Sequence, residues 1–145
     1  MSFALDLQRF AEKTKEKAHD AVGAIVVNIA RRIDERSPVG DARYWVNPPP
    51  AGYVGGHFRA NWQLGVEVRP AGEIAGVDPS GEATQSRIVA AIPEDAAGRV
   101  FFLTNNAPYA RRLEEGWSRQ APQGMVGLTV VEFQQIVDQA VEAVQ

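Results

Sequence analysis

Residues 4 to 36 constrain the fold most, because they have the apolar spacing of one very long amphipathic helix. Apolar residues recur mostly at steps of three and four: Phe3, Leu7, Phe10, Ala18, Ala21, Val22, Ile25, Ile29 and Ile33. The opposite side carries charged residues, namely Lys13, Lys15, Glu16, Asp20, Arg31, Asp34 and Glu35. Such a helix spans about 50 Å, more than a domain of this size can cover. We therefore expect part of it to project or to pack on a neighbouring subunit. Ser37-Pro38 should end it, because a proline disfavours the helical conformation of the residue before it.

Composition narrows the class of protein. A chain of 145 residues with 45% hydrophobic residues predicts one domain, residues 1 to 145. The net charge of -3 argues against tight DNA binding, which requires clustered lysine and arginine. The chain has no cysteine, so disulfides, zinc-thiolate sites and cysteine nucleophiles are excluded. Apolar runs such as residues 24 to 27 are far shorter than the roughly 20 residues of a membrane span. The first residues do not resemble a secretory signal, so we expect a protein of the cytoplasm or of a particle assembled there.

The remaining patterns predict an α+β fold. Trp62, Leu64, Val66 and Val68 alternate with polar residues within Phe58 to Arg69, the period of a half-buried strand. A second strand is predicted at Gly98 to Thr104, which is rich in β-branched and aromatic residues. We expect these segments, from Arg59 to Arg69 and from Arg99 to Thr104, to form a small antiparallel sheet. The long N-terminal helix and a C-terminal helix should cover it.

Three further helices follow from capping signals and periodicity. Asp78 as N-cap and Pro79 in the first turn favour a short helix before Ile92. Apolar spacing predicts the C-terminal helix from about Met125 to Val144. The third helix lies between Pro108 and a glycine stop at Gly116, after the Asn105-Asn106 turn that ends the second strand. On it Tyr109, Ala110 and Leu113 share one face, which we expect to be buried under the sheet.

Residues 40 to 57 have the composition of an extended or β-hairpin arm. They contain Pro48-Pro49-Pro50 and four glycines together with Tyr44, Trp45 and Tyr53. One interpretation is an interaction arm that protrudes from the domain. The other is that the aromatic side chains fold back onto the core of their own domain.

Few residues could support catalysis. The chain has two histidines, of which His19 is expected on the solvated face of the first helix and His57 at a strand entry. Glu114-Glu115 beside Arg111-Arg112 is more typical of a salt-bridged helix surface than of an acid/base pair. No histidine or carboxylate spacing predicts a metal site, and no phosphate-binding loop is present. We therefore predict no catalytic residue, no metal and no cofactor. An enzymatic alternative remains, a small hydrolase that uses His57 with Glu114 or Glu115.

Two motifs resemble those of tail-completion or neck proteins of long-tailed bacteriophages. The first is Asn106-Ala107-Pro108-Tyr109-Ala110 followed by Leu113-Glu114-Glu115-Gly116. The second is Ser37-Pro38-Val39 followed by Gly56-His57-Phe58-Arg59-Ala60-Asn61-Trp62, with residues 40 to 55 inserted between its halves. The resemblance extends from the first helix to Phe133.

This resemblance implies a structural virion protein, located in the neck or tail and in the host cytoplasm during assembly. Its partners would be further copies of itself, in a ring of six by analogy with the family, and neighbouring neck, tail-terminator or head-completion proteins. DNA would pass through the ring without specific binding. The candidate interface residues are Tyr44, Trp45, Tyr53, Arg59, Trp62 and Trp117. A third possibility is a monomeric interaction module that binds a proline-rich partner or offers Pro48 to Pro50 to one.

Overall fold

The fold is α+β, as the sequence predicts. The computed structural model describes residues 3–41, 43, 48, 51–52 and 54–145. In chain order the elements are α1 (Phe3–Arg36), α2 (His57–Ala60), β1 (Trp62–Val66), α3 (Glu82–Ala91), β2 (Phe101–Asn105), α4 (Ala110–Glu114), α5 (Val126–Val131) and α6 (Phe133–Val144).

The predicted long helix is confirmed, and α6 runs antiparallel to its C-terminal half. Arg36 binds Glu132 at the start of α6. Arg32, one turn earlier in α1, binds both Glu132 and Gln139, which lies about two turns further along α6. The helix ends where Ser37 donates its hydroxyl to the carbonyl of Ile33 at 2.7 Å and Pro38 follows. The second half of α1 therefore packs against α6. Because α1 is one continuous helix, this packing also sets the direction of its first half.

The sheet consists of β1 and β2, paired antiparallel with Trp62 opposite Asn105 and Val66 opposite Phe101. One face of it contributes to the core, in which the buried side chains are Ala30, Ile33, Phe58, Trp62, Ile88, Ala107, Ala121 and Met125. Phe58 and Trp62 meet edge to face with ring centroids 5.7 Å apart. The core thus joins α1 to the residues around both strands.

The first strand is shorter than predicted. Residues 57 to 60, of which Phe58 to Ala60 were expected to begin the strand, instead form α2, with Gly56 at its N-cap and the Ala60 amide donating to the Gly56 carbonyl. Gly56 has a φ of 109°, and a β-carbon there would lie 2.5 Å from the Pro79 nitrogen, so only glycine is accommodated. The strand also ends early, because Glu67 adopts a φ of 65°. The predicted strand from Arg59 to Arg69 is therefore wrong at both ends.

Two helix boundaries also differ from the prediction. The C-terminal helix is interrupted at Glu132, where α5 ends and α6 begins. The predicted N-cap of α3, Asp78, is not the capping position, which Gly81 occupies. Asp78 nevertheless accepts a hydrogen bond of 2.8 Å from the amide of Thr84, so it satisfies one of the free amides at that helix start.

The helix after β2 is confirmed, but its predicted buried face is only partly correct. Ala110 and Leu113 are partly buried and pack against the core. Tyr109 is 37% exposed, which contradicts its predicted burial, although its ring lies 6.1 Å from that of Phe58. Most of the predicted arm lies outside the described residues, and the described residues between 40 and 57 form no strand.

Candidate assembly surface

The first half of α1 projects from the rest of the protein. Every residue from 4 to 18 is exposed, and this range is called the projecting segment below. Burial starts at His19, whose Nδ1 accepts a hydrogen bond of 3.0 Å from the amide of Ala97, and at Ala21. The sequence interpretation of His19 as a solvated residue is therefore wrong. It fixes α1 to the loop that follows α3.

The projecting segment keeps an apolar stripe although nothing in the described chain covers it. Leu7 is 55% exposed and Phe10 69% exposed. Phe10 is three positions after Leu7, so the two side chains lie on the same side of the helix. Large apolar side chains at such exposures are typical of a surface that another chain covers.

Further apolar side chains are exposed near the C-terminus. On α5 and α6 they are Val126, Val130, Val131, Phe133 and Val141. Trp117, in the loop after α4, is 69% exposed and lies under the Arg112 guanidinium, 5.2 Å from the ring centroid. These positions make the described surface apolar in more than one place.

The six candidate interface residues fall into four groups, the last of which is Arg59 alone. Trp117 is at the surface, as expected of an interface residue. Trp62 is 5% exposed and donates its indole N–H to the Ser37 hydroxyl at 2.8 Å, so it belongs to the core. Tyr44, Trp45 and Tyr53 lie outside the described residues.

Arg59, the sixth candidate, forms hydrogen bonds with the backbone of two separate segments. Its guanidinium donates to the carbonyls of Glu35, Ser37 and Pro79 at 2.8 to 3.2 Å. It thus ties the end of α1 to the loop before α3. Three hydrogen bonds to backbone carbonyls give this arginine a structural role that its sequence position did not reveal.

His57 is engaged in a hydrogen-bonded cluster that includes neither Glu114 nor Glu115, the carboxylates proposed for a hydrolase. Its Nε2 lies 2.6 Å from a Glu73 carboxylate oxygen and its Nδ1 2.8 Å from the Gly76 carbonyl. These two bonds, that to Glu73 above all, raise the pKa of His57 above its ordinary value. Asn61 adds bonds to the carbonyls of His57 and Ile74, so the cluster fastens the loop before α3 to α2.

Glu114, the first proposed hydrolase carboxylate, caps a helix instead. Its oxygens accept hydrogen bonds from the amides of Met125, Val126 and Gly127 at 2.9 to 3.1 Å. Partial burial raises the pKa of Glu114, but the three amides outweigh it, and the pKa lies below its ordinary value. Glu115 forms a surface ion pair with Arg111. The hydrolase alternative therefore gains no support from the hydrogen bonding of these groups.

Replacing Glu114 with alanine should destabilise the fold by about 1 to 3 kcal/mol, since three amides at the start of α5 lose their acceptor. Glu115→Ala is the matched control, because it removes an exposed pair and should change stability by less than about 0.5 kcal/mol. Urea unfolding at pH 7 measures both. Equal stability of the two variants would contradict the capping role.

Asp34 is a buried carboxyl with an unsatisfied oxygen. It is 3% exposed, and its Oδ1 has no hydrogen-bond partner. Its Oδ2 lies against Gly81, where a β-carbon would come within 1.9 Å of it. Burial raises the pKa of Asp34 to about 7, although the nearby charge of Arg59 acts in the opposite direction. The sequence assigned Asp34 to a solvated helix face, so this burial corrects the prediction.

The described residues contain no group of three or more histidine, cysteine, aspartate or glutamate side chains that could hold a metal ion. Within the same residues, no helix is long and apolar enough to cross a membrane. No protein-family model, no curated protein sequence and no solved structure matches this chain.

Proposed function

We propose that this chain is a structural subunit of the neck of a long-tailed bacteriophage, a tail-completion or head-tail connector protein that forms a ring through self-association. The observation that carries the proposal is the projecting segment. A subunit that leaves about four helical turns exposed, with large apolar side chains on them, gains stability when a neighbour covers them. The two sequence motifs supply the link to phage necks.

The charge of the chain is compatible with this role. A net charge of -3 gives a ring lumen little attraction for phosphates, so DNA could slide through without specific contacts. The subunit would act by binding and assembly, without a chemical step. By analogy with the resembled family the ring would hold six copies and contact tail-terminator or head-completion proteins.

The direct test is cryo-electron microscopy of assembled particles from a phage that encodes this chain. We expect density for the chain between the portal and the tail tube. Its presence elsewhere in the particle, or its absence from the particle, would refute the proposal. A subunit that is monomeric when free would not refute it, because assembly proteins can order their interfaces only on docking.

Charging the stripe of the projecting segment should block assembly without unfolding the subunit. We expect Leu7→Glu with Phe10→Glu to reduce ring or particle formation at least about tenfold, because buried unpaired carboxylates oppose docking. Both side chains are exposed in the subunit, so its unfolding free energy should change by less than about 1 kcal/mol. Native mass spectrometry and particle yield measure the first effect, and thermal melting measures the second.

Arg9→Gln with Lys15→Gln is the matched control, since it makes the same change in net charge on the same segment and neither residue is three or four positions from Leu7 or Phe10. It should leave assembly unchanged. If both double variants assembled normally, the projecting segment would not be an interface.

A further inference from the structure

The outer edge of β2 has unpaired backbone groups. The amide of Glu67 donates to the Val100 carbonyl at 2.8 Å, so Glu67 and Val100 are a hydrogen-bonded pair. This shows which residues of β1 and β2 bond to each other. Hydrogen-bonded residues alternate along an antiparallel strand, so the backbone groups of Phe102 and Thr104 bond to β1. The N–H and C=O groups of Phe101 and Leu103 point to the opposite side. No other group in the described chain bonds to those of Phe101 or Leu103.

An open cleft of about 490 Å³ runs along this edge. All five residues of β2 line it. Successive residues of a strand face opposite sides of a sheet, so a cleft that touches all of them borders the strand edge rather than one face. The other wall is formed by α4, through Ala110 and Arg111, and by the start of α5, through Met125 and Val126.

The side chains around the cleft favour a partner with apolar and acidic residues. Phe101, Leu103 and Val126 supply apolar surface. Arg69 lies over the ring of Phe102, 5.7 Å from its centroid, and pairs with no carboxylate of the described chain. The carboxylate that lines the cleft, Glu114, is occupied by three backbone amides. Because Arg111 also lines the cleft, the lining has two arginines and one carboxylate, and its formal charge is positive.

We propose that the free edge of β2 binds an extended segment of a partner protein as a third strand, with apolar residues that alternate with acidic ones. The partner backbone would pair with Phe101 and Leu103, its apolar side chains would contact the cleft, and an acidic side chain would reach Arg69. A second copy of β2 is a poorer occupant, because its sequence from Phe101 to Asn105 has no carboxylate and it would bring a second Arg69.

This proposal goes beyond assembly of a ring, since it names a different surface and a different partner. Its test is also separate. Peptide binding at the edge of β2 can fail while the chain is still found in a phage neck, and the reverse is equally possible.

The experiment is a titration of isotope-labelled protein with the peptide acetyl-Thr-Val-Glu-Val-Glu-Val-Thr-amide, followed by NMR. We expect chemical-shift changes centred on the amides of Phe101 and Leu103, and slower hydrogen exchange at both. The same peptide with lysine in place of glutamate should bind roughly five to ten times more weakly. Equal affinity for the two peptides, binding elsewhere or no binding would overturn the proposal.

Arg69→Glu should reverse the order of the two peptides, because the charge at the cleft changes sign. Arg119→Glu is the control, since this exposed arginine does not line the cleft and the variant has the same net charge. Without peptide, protection of Phe101 and Leu103 that rises with protein concentration would show that a second copy occupies the edge, which would also overturn the proposal. Selectivity of the wild-type protein decides the question if Arg69→Glu does not fold.

Discussion

Replacing Asp34 with asparagine should make the protein more stable at pH 8 by about 2 to 4 kcal/mol. The pKa of Asp34 rises from 3.8 to about 7 on folding, so the folded protein retains a proton that the unfolded chain releases. The stability that this proton contributes is complete below about pH 4 and is lost as the pH rises through 7. The two pKa values bound the effect at roughly 4 kcal/mol, taking about 1.4 kcal/mol for each tenfold difference in proton affinity.

Urea unfolding between pH 4 and pH 8 measures this effect. The difference in unfolding free energy between Asp34→Asn and the wild type should be small at pH 4, should grow as the pH rises from 4 to 7, and should level off above pH 7. Glu35→Gln is the matched control, because Glu35 is the next residue of α1 and is exposed, and its charge is the smallest of the influences on the pKa of Asp34, so it should change the pH dependence far less than Asp34→Asn does. An asparagine variant less stable than the wild type at pH 8 would mean that the charge of Asp34 is well compensated, contrary to its unpaired oxygen.

The sequence predicted the elements whose signals are local. The periodicity of α1 extends over many turns, and Pro38 marks its end, so both its existence and its C-terminus could be predicted. The end of β2 at Asn105, whose side-chain oxygen accepts a hydrogen bond from the Ala107 amide, and the stop at Gly116, where φ is 91°, were equally predictable, because they depend on the local preferences of single residues.

The sequence could not predict features that depend on distant partners. The helical turn of α2, and with it the late start of β1, is set by a tight approach of Gly56 to Pro79 and by contacts of Arg59 with three carbonyls. The break at Glu132 accompanies its ion pairs with Arg32 and Arg36, about a hundred residues earlier in the chain. Such contacts leave no periodic signal in the segments that make them.

The candidate surface was predictable to a similar extent. The excess length of α1 indicated that part of it would be uncovered, and the projecting segment is exposed as expected. The aromatic residues were harder to place, because a tryptophan is equally common in cores and at interfaces. Trp62 and Trp117 were both assigned to an interface, and their exposures of 5% and 69% show that only Trp117 is available to a partner in the subunit described here.

These two tryptophans give the last prediction. Trp62→Ala should destabilise the subunit by about 3 to 5 kcal/mol, because it removes a buried ring that contacts Phe58 and leaves the Ser37 hydroxyl without its indole donor. Trp117→Ala should cost less than about 1 kcal/mol, the value of its exposed contact with Arg112.

The same pair of variants separates folding from assembly. Trp62→Phe keeps a ring in the core and should recover most of the stability that Trp62→Ala loses, whereas the missing hydrogen bond to Ser37 should still cost about 1 kcal/mol. If Trp117 is an interface residue, Trp117→Ala should lower the yield of rings or particles while its urea midpoint stays close to that of the wild type. A large loss of stability for Trp117→Ala would place that side chain in the core, and normal assembly would remove it from the interface.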